Sequence, residues 1–157
     1  MYTALLTLHS WLRYLVLGAG LVAVILAWRG WLGDRPWPAG EKKRANLIFV
    51  IALDLQLVVG LLLYVVLSPA TQAAFADFGA AMKDRGLRFF AVEHLFGMVL
   101  ALVFAHLGHA LSKRAPEAAQ RYKRAALFFT LALVAIVASI PWPGLDGIGR
   151  PLFRLGG

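Results

Sequence analysis

Four long apolar stretches limit what this chain can fold into. They run from about Leu5 to Trp28, Ala45 to Leu67, Leu87 to Leu111 and Ala125 to Trp142. Each approaches the ~20 residues a helix needs to cross ~30 Å of hydrocarbon. The fourth is the shortest: its apolar run ends at Ile140, and Trp142 completes it at an interface. An open sheet cannot satisfy its backbone in lipid, so the stretches are expected to be helices. The fold class is then all-α, an integral membrane four-helix bundle. It forms a single domain over residues 1–157, with a tail from Pro143. A hydrophobic content of 61% is beyond what a soluble domain usually shows. The chain has no cysteine, which excludes disulfides, thiolate–metal sites and iron–sulfur clusters. Nothing basic precedes the first apolar stretch and no clean small-x-small cleavage site follows it, so that stretch is expected to be retained.

The charges add a direction. The net charge is +8, but the bases sit in short connections between apolar spans, which indicates membrane topology and no nucleic-acid partner. Arg29, Arg35, Lys42, Lys43 and Arg44 lie in the first connection, and Lys113, Arg114, Arg121, Lys123 and Arg124 in the third. The second connection holds Lys83, Arg85 and Arg88, and the tail Arg150 and Arg154. Positive charge accumulates on the cytoplasmic side, so loops 29–44 and 112–124 are expected there, with both termini outside. Trp28, Trp31, Trp37 and Trp142 sit near span ends, as in an aromatic belt. Pro36 and Pro38 break the first connection, while Pro69 and Pro141 end the second and fourth helices. In the connection 68–86, Thr71–Met82 is spaced to form one amphipathic helix with Phe75, Phe78 and Met82 on a shared side. It would lie on the outer membrane surface or cap the outer half. The glycine-rich tail, with Leu152, Phe153 and Leu155, returns to the surface or meets a partner chain.

Within the spans, a few ionisable residues stand out, and such residues are functional-site candidates by default. Arg88–His109 contains Glu93, His94, His106 and His109. At about 100° per residue, Gly97, Ala101, Ala105 and Gly108 share a face with His94. A stripe of small residues lets a flat group or another backbone approach closely. Two readings follow. In one, a porphyrin lies against this face with His94 as an axial ligand; in the other, the stripe is a tight helix–helix seam. His9 lies roughly 6 Å and His94 roughly 10 Å below the outer boundary, counted at about 1.5 Å per residue. Two imidazoles from two helices at one depth suit a six-coordinate b-type haem. Arg13, Val16 and Gly20 share the face of His9. Arg13 needs an anion or water, with Glu93 and a haem propionate as the candidate anions. Asp54, Gln56 and His106 form a possible inner polar site, with Asp54 as a proton-handling group or a partner of Arg13 or His106.

The chain carries His9-Ser10-x-Leu12-Arg13-Tyr14, Gln56-x-x-x-Gly60-Leu-Leu-Leu-Tyr64, Arg88-Phe89-x-x-Val92-Glu93-His94, Ser112-Lys113-Arg114 and Ile140-Pro141-Trp142-Pro143. This set resembles a family of small four-helix bacterial inner-membrane proteins labelled cytochrome b-like, over nearly the whole chain to about Pro143. The resemblance implies a bacterial cytoplasmic membrane location and b-type haem, with His9 and His94 as leading ligands. The chain departs from it at Asp54, where such proteins often carry histidine. An electron-transfer subunit with one haem between helices one and three is therefore expected, its Arg13, Gly20, Gly97 and Ala101 near the cofactor. Lipid, quinone and other membrane subunits are the expected partners. The alternative is a cofactor-free accessory subunit of a larger respiratory or photosynthetic complex. A third reading, metal handling through His9, His94 and Met98, lacks the broken helices and inverted repeats of a transporter. No nucleophile–base–oxyanion set is visible, so the chain reads as a subunit more than a stand-alone enzyme.

Overall fold

The computed structural model describes residues 1–37 and 44–153. Pro38, Lys42, Lys43, Arg154 and Leu155, used above, lie outside the described residues. Every regular element among the described residues is helical. Helix α1 spans Tyr2–Leu32 and α2 spans Arg44–Leu62, continuing into a π-helical turn, Leu63–Leu67. Three short helices follow: α3 (Pro69–Ala76), α4 (Phe78–Ala81) and α5 (Arg85–Arg88). A second π-helical turn, Phe89–Glu93, leads into α6 (His94–Arg114), and α7 spans Ala118–Ser139. The continuous helical stretches Tyr2–Leu32, Arg44–Leu67, Arg85–Arg114 and Ala118–Ser139 are all long and apolar enough to cross a membrane.

The fourth helix departs from the sequence expectation at both ends. It begins at Ala118, seven residues earlier than apolarity indicated, because its first turns (AAQRYKR) are polar yet good helix formers. It stops at Ser139, since Pro141 holds Ile140 in an extended conformation. Trp142 is therefore outside the helix, and its indole Nε1 donates to the free Val137 carbonyl (2.8 Å).

The long helices meet in cyclic order. Helix α1 packs on α2 and α7, and α6 packs closely on α7 and least closely on α2, so α1 and α6 oppose each other across the centre. Close approach depends on small residues. A side chain at Gly97 would strike the Ser139 hydroxyl, and one at Gly108 would come within 2.9 Å of the Phe129 ring. The stripe on α6 is thus a seam with α7. At the Gly108 end of the seam the centre is filled by Phe49 and Phe129, both fully buried and edge-to-face at 5.5 Å, in one core cluster with Ala23, Ala27, Ala105 and Ala125. Large aliphatic side chains such as Leu21, Ile25, Ile51, Val103 and Val134 point outward. Small residues inside and aliphatic ones outside are the pattern of helices that pack in hydrocarbon.

The connection 68–86 forms three short helices rather than one amphipathic helix. Ser68, Asp77 and Asp84 each accept a hydrogen bond from the backbone N–H three residues on, capping α3, α4 and α5 and stopping the helix before each. The break at Asp77 separates the expected face: Phe75 and Phe78 stay exposed, while Met82 packs with Ala74, Ala81 and Ala91. Thr71 fastens the layer to the end of the second span, its hydroxyl donating to Tyr64 O (2.7 Å), and Tyr64 ties the two π-helical turns together, its hydroxyl donating to Ala91 O (2.6 Å). The tail also returns. Gly144 and Gly147 take the positive φ (85° and 72°) that its turns require. The Leu152 carbonyl then accepts hydrogen bonds from Arg13 Nη2 (2.7 Å) and Tyr14 Oη (2.5 Å), with Phe153 stacked on Tyr14.

Candidate functional site

At the other end from the Phe49–Phe129 pair, the centre is hollow. A cavity of about 360 Å³ lies between the four long helices, roofed by Ser68 and Thr71 of the short-helix layer and by Arg150 and Pro151 of the tail. The two π-helical turns lie where the helices part. A π turn adds a residue to the helical circuit and shifts the faces beyond it, and such turns concentrate at functional sites. Leu63 and Tyr64 from one turn and Phe90 from the other border the cavity.

His9 from α1 and His94 from α6 meet in this space. Their ring centroids are 6.3 Å apart and the ring planes cross at 73°. His94 is oriented by a carbonyl: its Nδ1 donates to Ser139 O at 2.8 Å, which leaves Nε2 as the free nitrogen. That carbonyl is available because α7 has ended and Pro143, four residues on, has no N–H to offer it. His9 is held from α2. Gln56 Nε2 donates to His9 O (3.0 Å) and lies 3.3 Å from His9 Nε2. Gly60 lets the ring sit close, since a side chain there would lie 3.0 Å from His9 Cε1. Among the described residues both His9 Nδ1 and Gln56 Oε1 are buried without a hydrogen-bond partner. Buried polar atoms are nearly always paired, so two such atoms on one pair of residues single this place out as a candidate binding site.

Two arginines stand at the cavity edge. Arg13 reaches Tyr14 Oη and Leu152 O, and Arg150 lies over the Phe90 ring at 4.8 Å. Among the described residues neither forms an ion pair with a carboxylate. The Arg13–Glu93 pair considered from the sequence does not form: Glu93 binds Arg88 instead, Nε to Oε1 at 2.8 Å.

Other expected site residues are elsewhere. Gly20 abuts Phe49 in the filled end, and Gly97 and Ala101 face α7, so none of the three borders the cavity. The inner polar group divides. Gln56 belongs with His9, whereas Asp54 Oδ1 approaches His106 Nε2 at 3.6 Å on the outside of the molecule. Residues two apart on a helix point about 160° away from each other, so Asp54 and Gln56 cannot share a site. Depth counted from each helix end also fails for α2, because Gln56 bonds His9 although it sits 11 residues from Leu67. Gly60, Tyr64, Thr71, Arg150 and the Ser139 carbonyl also belong to the site, beyond the residues expected from the sequence. Of these, the carbonyl had a signal: the Pro141 and Pro143 pair announces unpaired carbonyls at the end of α7.

Among the described residues no three His, Asp or Glu side chains converge. No family model, curated protein or solved structure matches this chain.

Proposed function

We propose that the chain is a multi-pass four-helix protein of the bacterial cytoplasmic membrane that holds one b-type haem and transfers electrons. His9 and His94 are the residues that would hold its iron. The observation that carries this reading is the ring pair across the cavity. A metal bound at about 2.0 Å by one nitrogen of each imidazole spaces the ring centres by roughly 6 Å, and the 6.3 Å between His9 and His94 fits that span. The donor set fits too. Two imidazoles alone leave a bare ion short of the four ligands it usually takes, while a metal already held in a macrocycle needs only two. His94 Nδ1 on a carbonyl is the outer contact that fixes the tautomer of a ligating imidazole. Arg13 and Arg150 are the residues that would meet the macrocycle's carboxylates. When bound, the group exchanges one electron at a time. The chain's own part is to orient the two imidazoles, exclude water with the roof of Thr71 and Pro151, and set the local charge.

The proposed topology has both termini outside and loops 29–44 and 112–124 on the cytoplasmic side. It is supported by the many bases at the Phe49–Phe129 end, including Arg29, Arg35, Arg121 and Lys123. A quinone or a neighbouring membrane subunit is the redox partner in this reading. The second reading, a cofactor-free accessory subunit, is favoured by the Gly97–Ser139 and Gly108–Phe129 contacts, which are seams that helices make for packing alone. The test is a dithionite-reduced minus oxidised absorption spectrum of the full chain in mild detergent. The haem reading expects sharp b-type α and Soret bands, lost in His94→Ala. A flat spectrum from protein expressed with ample haem overturns it.

A further inference from the structure

The pair Asp54 and His106 is left over from the site just described. It bridges α2 and α6, the least closely packed neighbours in the ring. Its side chains are 46% and 50% exposed, within helices long and apolar enough to cross a membrane. Its surroundings are aliphatic. On α2, Leu47, Ile51 and Val58 are exposed on the same face as Asp54; on α6, Val99 and Val103 flank His106. The contact itself is incomplete. At 3.6 Å it is longer than a hydrogen bond, and among the described residues Asp54 accepts none. His106 Nδ1 donates to Leu102 O (3.0 Å), so Nε2 is the nitrogen that faces the carboxylate. An acid and a base open to lipid in this state are costly, and ionisable residues in spans normally face protein or water.

We propose that the α2–α6 face, centred on Asp54 and His106, is the interface for a second copy of this chain. The geometry of the pair selects that occupant. Copies in one membrane share an orientation, so a two-fold axis relating them lies along the membrane normal. Such an interface is isologous, each residue i meeting j and each j meeting i. The pair joins neighbouring helices side by side, not one above the other along a single helix. Rotation about the normal therefore places each Asp54 opposite the other copy's His106. Four groups, two acids and two bases, then complete one another at the centre, and the aliphatic stripes of Ile51, Val58, Val99 and Val103 close around them. The inference rests on the membrane placement of the helices and is independent of any haem.

The chain has no cysteine, so single-cysteine cross-linking is clean. Ile51→Cys and Val58→Cys test the face, and Val134→Cys, exposed on α7, is the control for fold and random collision. Membranes containing each full-length variant are oxidised with copper phenanthroline and run without reductant. The expected result is a disulfide-linked species of twice the chain mass from the α2 variants and none from the control. Adding Asp54→His sets base against base and lowers the cross-linked yield about threefold to tenfold, the range of single interhelical polar contacts in membranes. Exchanging the pair, Asp54→His with His106→Asp, restores it. Equal yields from Val134→Cys and the α2 sites, or a yield indifferent to the charge changes, overturns the proposal. So does an adduct of a different mass, which assigns the face to another protein.

Discussion

The two ends of this molecule are built from the same four helices and solve opposite problems. At one end Phe49 and Phe129 cross edge-to-face, and glycine and alanine let the backbones close around them. At the other the helices part, the centre is hollow, and two histidines face each other with unpaired polar atoms beside them. Close packing is therefore within reach of these helices. The π-helical turns at Leu63–Leu67 and Phe89–Glu93 are both at the hollow end. The same four helices are thus closely packed around Phe49 and Phe129 at one end and stand apart around His9 and His94 at the other. Substitutions at the filled end should cost stability, and those at the hollow end should cost ligand.

The largest effect should come from the histidines. His94→Ala or His9→Ala should abolish the b-type absorption while the thermal midpoint of the apo protein in detergent stays close to that of the parent apo protein. A joint loss of fold and spectrum would erase the distinction between the two ends. Next, Phe129→Ala should destabilise by about 3–5 kcal/mol through the cavity it leaves, read as a lower thermal midpoint. At the same seam, Gly97→Val should cost about 1–3 kcal/mol, because its side chain must displace Ser139. This variant also sharpens the comparison: Ser139 carries the His94 contact, so a displaced α7 end should shift the absorption maximum in protein that still folds. Smaller again, Gln56→Leu removes the donor to His9 and should lower haem occupancy several-fold, with a stability change of about 1 kcal/mol. The smallest change is Tyr14→Phe. It deletes one of two hydrogen bonds to Leu152 O and should cost under about 1 kcal/mol, detected as faster proteolysis of the tail.

Much of this was legible in the sequence, for reasons that differ by residue. The long apolar runs are visible because hydrocarbon demands length and composition at once. His9 and His94 stand out because ionisable groups are rare in such runs. The partner of a small-residue stripe is a different matter. Gly97 and Ala101 permit close approach without saying what approaches, and α7 took the place that a flat cofactor also suits. The separation of Asp54 from Gln56 was readable, since the angular argument used for the first and third helices applies equally to the second. The π-helical turns were not. A one-residue shift in hydrogen-bond register leaves an unbroken apolar string such as Leu63–Leu67 unchanged in character. Polarity hides the start of α7, because Gln120, Arg121 and Lys123 look like the end of an apolar span yet continue the helix.

The returning tail has a consequence for biosynthesis. Arg150 and Pro151 form part of the roof over the histidines, and they are made after every other residue that lines the cavity. Until Arg13 and Tyr14 take hold of the Leu152 carbonyl, the only part of that roof in place is the short-helix layer with Ser68 and Thr71. The order of translation thus becomes an order of closure, with the walls first and the tail's share of the roof after them.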